Sequence, residues 1–372
     1  MHEVIASPFL DDYVLVRPGD ARAVRIGPRR YRDLFEAVPD AVCPAWLVDA
    51  VRRRWGPNLA ERPLAGAVLV REPSTLGYGR ASYEINLGCD YDCEHCYLGE
   101  KRFAGLNLEG KRTLLHILRD AGVLWLQITG GEPLIDPHFA EVYRLAQDLG
   151  MIVEILSNGS RLANAKILDL LTTRRPYRIS LSVYGATAET YEGLTLRRGS
   201  FRRFERGLTA ALDAGLPVDL SLIITSHNAH EADLMRAWAE RLGLPSREYT
   251  HMSPTIYGGA ESLATQSITH VKPRARFAGC NAGHTFLHVD PHGLASICKV
   301  ARDQQIKLMT EGAAGLARLG GIADALMLRT GGCSGCQLAE QCSVCRPLAK
   351  LYQQAKAPLD RYCQHAERRT HS

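Results

Sequence analysis

The sequence predicts an α/β protein built on a parallel sheet, open or closed, with a small α+β unit before it and a cysteine-rich unit after it. Three observations predict this. Between residues 82 and 252, six apolar runs of strand length alternate with helix-length segments, and Gly or Pro punctuates most joins. A Pro-rich link beginning at Arg62-Pro63 separates that region from the first 75 residues. Ten of the 11 cysteines form two groups, one at residues 89–96 and one from residue 280 onward.

The elements follow in order. In the first unit, residues 13–16 and 23–26 read as a hairpin around Pro18-Gly19-Asp20. Helices follow near residues 31–38 and 44–55, the second with Trp46, Leu47, Val51 and Trp55 on one face. The central strands are placed at 82–87, 123–129, 151–156, 178–183, 218–224 and 247–252. Their helices lie near 108–121, 138–149, 163–171, 201–214 and 230–242. Parallel strands put functional groups at their carboxyl ends. From residue 255 the pattern breaks into a hairpin around Asp290-Pro291-His292-Gly293, then helices and Cys-rich loops. The units are thus 1–75, 76–254 and 255–372.

Composition narrows the function classes. With 372 residues, 46% hydrophobic and 23% charged, the chain can bury a large core, so disorder is excluded as its main state. A net charge of +5 is too mild to argue for a nucleic-acid or membrane surface. There is no apolar run of about 18 residues, so no transmembrane helix is expected. The opening Met1-His2-Glu3-Val4 and the later Asp11-Asp12 do not fit a signal peptide, and a cytoplasmic location is expected. An odd cysteine count there argues against a disulfide framework, and grouped thiols point to metal. Cys43 stands alone in an apolar stretch and reads as a buried structural residue.

Cys89, Cys93 and Cys96 form a C-x3-C-x2-C motif in the loop after the first central strand. Three thiolates at this spacing can hold three irons of a cubane and leave the fourth open. The alternative is zinc, which wants four closed ligands and would need His95 as the fourth.

Together with Gly130-Gly131-Glu132-Pro133 after the second strand, this triplet resembles the radical S-adenosylmethionine (SAM) enzymes. The resemblance implies a partial (β/α)6 TIM-like barrel. It implies that Gly130, Gly131, Glu132 and Pro133 bind the amino end of SAM through backbone groups and the Glu. Two glycines permit close backbone approach, and a carboxylate suits an ammonium. Ser157 and Asn158, with Gly159, occupy the place of ribose contacts. Ser180, Ser182 and Tyr184 lie where the family's polar residues face the cofactor, and His95 where it usually has an aromatic ring. The implied chemistry is reductive cleavage of SAM to a 5′-deoxyadenosyl radical that takes a hydrogen atom from substrate. Low-potential clusters imply a flavodoxin or ferredoxin as electron donor.

Cys280 and Cys298 frame a C-x12-G-x4-C pattern through Gly293. Cys333, Cys336, Cys342 and Cys345 make C-x2-C-x5-C-x2-C, and Cys363 closes the set. This resembles the SPASM extension of the same enzymes, which carries two auxiliary [4Fe–4S] clusters, although the family's last quartet spacing is usually three. The resemblance assigns Cys333, Cys336, Cys342 and Cys363 to an outer cluster, and Cys280, Cys298 and Cys345 to an inner one. Three clusters are therefore expected. The inner cluster lacks a fourth cysteine; His284, Asp290 or substrate would fill the place. Zinc sites built from the same thiols are the alternative.

SPASM enzymes mostly modify peptides and proteins. The implied activity is crosslink formation or residue oxidation in a ribosomally made precursor peptide. The first 75 residues loosely resemble the winged-helix precursor-recognition element of such enzymes. A leader peptide would then add a strand to an exposed sheet edge. Arg29, Arg30, Arg52, Arg53 and Arg54 would meet acidic leader residues, or form a solvated face. The alternatives are a plain N-terminal extension, a sulfatase-maturase-like or small-molecule radical reaction, and a non-catalytic iron–sulfur or zinc protein. No acid or base for the substrate is singled out by spacing.

Overall fold

The computed structural model describes all residues except 1, 39, 271–279, 330–332, 339, 341, 343, 360–361 and 364–372, so the expected end of the C-terminal unit lies outside the described residues. The N-terminal unit is a four-stranded sheet under helices. Its elements are β1 (Val4–Phe9), β2 (Asp12–Val16), β3 (Ala23–Ile26), α1 (Pro28–Phe35), α2 (Ala45–Trp55), the short α3 (Leu64–Ala67) and β4 (Val68–Val70). The strand order is β3-β2-β1-β4. β2 and β3 form the expected hairpin, with Tyr13 opposite Ile26 and Val16 opposite Ala23.

Sequence reading missed β1 and β4. Pro8 argues against a paired strand. It is tolerated because β4 pairs only with Val4, Ile5 and Ala6, so no β4 residue lies opposite Pro8. One face of the sheet, through Val4, Ala6 and Leu15, packs on Tyr31, Leu34, Cys43, Leu47 and Val51. The other face, through Ile5, Val14 and Val16, packs on Leu124 and Ile152, with Trp125 and Tyr177 at the margin.

The central strands are β5 (Arg80–Glu84), β6 (Trp125–Thr129), β7 (Ile152–Ser157), β8 (Arg178–Val183), β9 (Val218–Ile223) and β10 (Ser246–Tyr249), parallel and in chain order. The connecting helices are α4 (Leu108–Asp120), α5 (Phe139–Asp148), α6 (Ala165–Thr173), α7 (Ala188–Thr195), α8 (Ser200–Asp213) and α9 (Ala232–Arg241). α7 was not foreseen. Alternation along the strands explains the layering. Leu126 and Ile128 of β6, and Ile179, Leu181 and Val183 of β8, are buried under helices. Gln127, Thr129, Ser180 and Ser182 face inward and stay partly accessible. The inner face is held low in the barrel by Arg178, whose Nη1 lies 3.2 Å from Asp219 and whose Nε donates to Glu154 at 2.8 Å.

The C-terminal unit extends the same sheet. β11 (Phe286–Val289) lies parallel beside β5, and β12 (Leu294–Ser296) and β13 (Ile306–Lys307) follow antiparallel. The nine-stranded order is β10-β9-β8-β7-β6-β5-β11-β12-β13, open at both edges. Helices α10 (Leu308–Glu311), α11 (Leu319–Leu326) and α12 (Arg346–Gln354) complete the unit. Among the described residues, no helix is long and apolar enough to cross a membrane.

Candidate active site

The three N-terminal thiols sit in the loop leaving β5. Cys93 is buried, and Cys89 and Cys96 are partly so. Backbone bonds from Cys96 N to Cys93 O (3.2 Å) and from Gly99 N to Cys96 O (3.0 Å) coil the loop. Burial pushes the Cys89 thiol up to about 12, with Glu132 adding repulsion. Burial pushes Cys93 and Cys96 up as well, and for Cys93 the two neighbouring sulfurs add to it. Three thiolates so close and so dry require a strongly positive partner, which is what a metal centre supplies.

The Gly130-Gly131-Glu132-Pro133 turn is locked to this loop. Gly131 N donates to Asn86 O at 3.0 Å, and Glu132 N to Gly88 O at 2.9 Å. A Cβ on Gly130 would lie 2.3 Å from Asn86 O, and one on Gly131 would lie 2.1 Å from Gly88 O. The glycines thus permit close approach between two loops of the protein itself, rather than only to a ligand.

Glu132 also has a structural part in the turn. Its carboxylate is fully buried. Oε1 accepts from Leu134 N (2.9 Å) and Ser157 Oγ (2.8 Å), and Oε2 accepts from Asn158 N (2.7 Å). Burial pushes it up to about 7 against those bonds. Its side chain therefore staples the β6 loop to the β7 loop. Ser157 and Asn158 are likewise engaged in the staple and nearly buried. Asn158 Nδ2 donates to Asp90 Oδ1 at 2.9 Å and approaches Cys89 Sγ at 3.8 Å, and Ser160 Oγ donates to Asp90 Oδ2 at 2.8 Å. Asp90, unremarked in the sequence, is the knot between the cysteine loop and the β7 loop.

Ser182 stands on the inner face, below Tyr184. The His95 ring lies 5.2 Å from the Tyr184 ring. Burial pushes His95 down to about 4, so it is neutral at physiological pH and can serve as an apolar plate. Tyr91, Tyr184 and Tyr191 pack edge to face beneath the loop.

A second, unforeseen cluster lies on the other side of β5. Glu84 is fully buried at the end of that strand. Arg302 grips it with both terminal nitrogens, at 2.7 and 3.0 Å, and Tyr97 OH donates to it at 2.8 Å. His288 Nε2 lies 3.4 Å away. Burial alone would raise Glu84, but His288 and Arg302 overcome it and hold the carboxyl down at about 2. Its only sequence signal was a charged residue at the end of an otherwise apolar strand.

In the C-terminal unit, Cys298 lies within the electrostatic reach of Cys345 and Cys280. Gln353 Nε2 donates to Cys333 Sγ and Arg346 Nη2 to Cys342 Sγ, each at 3.6 Å, while Cys336 and Cys363 are partly buried. Both side chains suggested as a further ligand have partners here. His284 pairs with Asp324 at 3.0 Å. Asp290 is buried, its Oδ1 taken by His292 N and Leu294 N at the hairpin turn, and its Oδ2 accepting from Tyr257 at 3.3 Å. Among the described residues, no three His, Cys, Asp or Glu side chains converge as a single metal ion requires. A four-iron cubane asks for wider spacing, because each thiolate binds its own iron.

Residues 83–238 match the radical SAM superfamily. The chain carries a radical SAM domain. Such a domain implies a [4Fe–4S] cluster and SAM, and the three thiols beside the stapled loops of β6 and β7 fit both. The AdoMet-dependent heme synthase of Methanosarcina barkeri is 27% identical over 180 residues, 48% of this chain and 51% of that protein. The antilisterial bacteriocin subtilosin biosynthesis protein AlbA of Bacillus subtilis is 25% identical over 242 residues, 59% of this chain and 54% of that one. The match thus spans about half the length of these relatives. The fold of Streptococcus suis SuiB, solved bound to the precursor peptide SuiA, superposes with a TM-score of 0.61 at 12% identity and covers 98% of both chains. That likeness extends beyond the radical SAM domain to the N- and C-terminal units.

Proposed function

We propose that this protein reductively cleaves SAM and modifies a ribosomally made precursor peptide, by crosslink formation or residue oxidation. The observation that carries the reading is the interlock of Cys89, Glu132, Ser157 and Asn158 at the carboxyl ends of three neighbouring strands. Bound there, the cluster and SAM would supply the electron and the carbon radical that abstracts hydrogen from substrate. Cys89, Cys93 and Cys96 hold the iron. Glu132, Ser157, Asn158 and Asp90 fix the loops that border it. Gly130, Gly131 and Pro133 shape the turn, Ser182 and Tyr184 border the inner face, and neutral His95 adds a flat wall.

In this reading the C-terminal unit is a SPASM domain with two further clusters. Cys333, Cys336, Cys342 and Cys363 hold the outer one, and Cys280, Cys298 and Cys345 the inner one. The proximity of Cys298 to Cys345 and Cys280 supports that grouping. With Asp290 buried and used in its turn, the inner cluster's remaining position falls to His284 or to substrate. A cytoplasmic flavodoxin or ferredoxin supplies electrons. Residues 1–75 act as the recognition element, supported by the unpaired outer edge of β3 and by exposed Phe35, Val38 and Val42. Of the arginines suggested for leader contacts, Arg30 stacks on Trp46 at 4.9 Å.

The test is anaerobic reconstitution with iron counted and 5′-deoxyadenosine measured. Three clusters predict about twelve irons per chain, falling to about eight when Cys89, Cys93 and Cys96 are all changed to Ala, with 5′-deoxyadenosine from wild type only. A count that stops near four, with zinc on the C-terminal cysteines, sinks the SPASM reading. The likeness to a heme synthase favours a second reading, a small-molecule substrate. Stimulation of SAM cleavage by a peptide encoded beside the gene decides against it.

A further inference from the structure

Asn158 directly follows β7 and is buried. The loops around it hold its side-chain amide in one orientation. Oδ1 accepts from Ser160 N at 2.9 Å, and Nδ2 donates to Asp90 Oδ1 at 2.9 Å. Turned over, the amide would set its carbonyl against the Asp90 carboxylate and its NH2 group against a backbone N–H. The backbone is held as well, with Asn158 N donating to Glu132 Oε2 at 2.7 Å. An amide NH2 group carries two protons, and Asp90 takes one of them. The other partner within reach of Nδ2 is Cys89 Sγ, at 3.8 Å. That sulfur also accepts from Tyr91 N at 3.4 Å. Among the described residues, no side chain donates a hydrogen bond to the sulfur of Cys93 or Cys96. Cys89 is thus the one member of the triplet with a side-chain donor, and that donor is fixed from three sides.

A hydrogen bond to a cluster thiolate favours the reduced cluster, which carries one more negative charge, and so raises its potential. In a site this dry, little water competes with the bond. We propose that the Asn158 amide donates its second N–H to the Cys89 thiolate of the bound cluster and raises the potential at which that cluster takes its electron. The electron itself comes from the external donor. Asp90 and Ser160 N act through the amide, as the groups that aim it. This rests on the cluster reading of Cys89, Cys93 and Cys96 and goes beyond it. The β7 loop then tunes the electron-accepting step, in addition to bordering the place of SAM.

The experiment is an anaerobic redox titration of the reconstituted full-length protein, read by electron paramagnetic resonance of the reduced cluster. SAM is left out, so no contact between Asn158 and the cofactor enters the readout. The protein with Cys89, Cys93 and Cys96 changed to Ala supplies the signal of any other cluster, which is subtracted. Asn158→Leu keeps the size of the side chain and removes the donor, and Asn158→Ser is too short to reach the sulfur. At the wild-type midpoint, each should hold a ratio of reduced to oxidised cluster about ten-fold lower, a fall of about 59 mV for one electron. Ser160→Ala removes the bond from Ser160 Oγ to Asp90 Oδ2 and keeps the backbone N–H that holds the amide, so its midpoint should match wild type. An unchanged midpoint in both Asn158 variants, with their iron retained, overturns the inference. If SAM affinity alone falls in them, the amide belongs to the cofactor instead. An equal fall in Ser160→Ala also overturns it, since loosening the loop would then suffice. So does failure of both Asn158 variants to hold the cluster, which would make Asn158 a residue of the loop's fold. Iron content and SAM cleavage are measured on the same samples. Their absence in wild type would sink the enzyme reading itself, and this inference with it.

Discussion

Two carboxylates flank the cysteine loop, and their surroundings push them in opposite directions. Glu84 meets a bidentate guanidinium and stays charged. Glu132 meets only neutral donors in a dry place and is pushed up to about 7. For Glu132 the folded value lies above the ordinary one, so its contribution to stability is full below about pH 4.5 and fades as pH rises through about 7, by about 3 kcal/mol. Iron-free protein should therefore lose melting temperature between pH 5 and 8. Glu132→Gln, which cannot ionise, should show a flatter profile by thermal unfolding; parallel profiles would refute the assignment. At Glu84 a double-mutant cycle applies. Arg302→Met strands a buried charge and should cost about 3–5 kcal/mol. The double change Glu84→Gln with Arg302→Met should cost less than the sum of the two single changes in denaturant unfolding. Both residues were present in the sequence. What it did not show is that residues 84 and 302, so far apart in the chain, share one hydrogen-bond network.

The element that matters most is the β6 turn, because its glycines set how close two loops can come. Gly131→Ala should cost about 3 kcal/mol or more and abolish SAM binding, since its Cβ would lie 2.1 Å from a backbone oxygen. Gly66→Ala, with nothing within 4 Å of the added carbon, should stay within about 0.5 kcal/mol of wild type. If the two variants unfold alike, the steric argument fails. The motif itself was legible because its composition is unusual and it follows a strand. The target of its glycines was not, since steric approach depends on where Asn86 and Gly88 lie. In the same way, the hairpin around Asp290 was legible from its turn residues. That Asp290 would be used up in capping the turn was not.

For the molecule as a whole, the N-terminal unit shares an apolar interface with the barrel through Ile5, Val14, Val16, Leu124 and Ile152. Deleting residues 1–75 would expose that surface. The truncated chain should aggregate or melt well below the full chain, as gel filtration and calorimetry would report. Leu124→Ala in the full chain should cost about 2–5 kcal/mol. A truncated chain that melts with the full one would show that the interface contributes nothing. A deletion phenotype by itself therefore cannot separate leader recognition from support of the barrel, and changes on the free edge of β3 are the better probe.

The sequence by itself determined the alternation of strand and helix, the position of the cysteine loop at the end of β5, and the candidate ligands. These depend on residue type and local spacing, which act over a few residues. The tertiary structure alone decided that β11 joins the sheet beside β5. It also decided that Glu132 staples loops, that Glu84 binds Arg302, and that the Asn158 amide comes to face Cys89. Each of these brings together groups distant in the chain. Burial, charge pairing and steric fit between such groups exist only once the sheet has closed the distance.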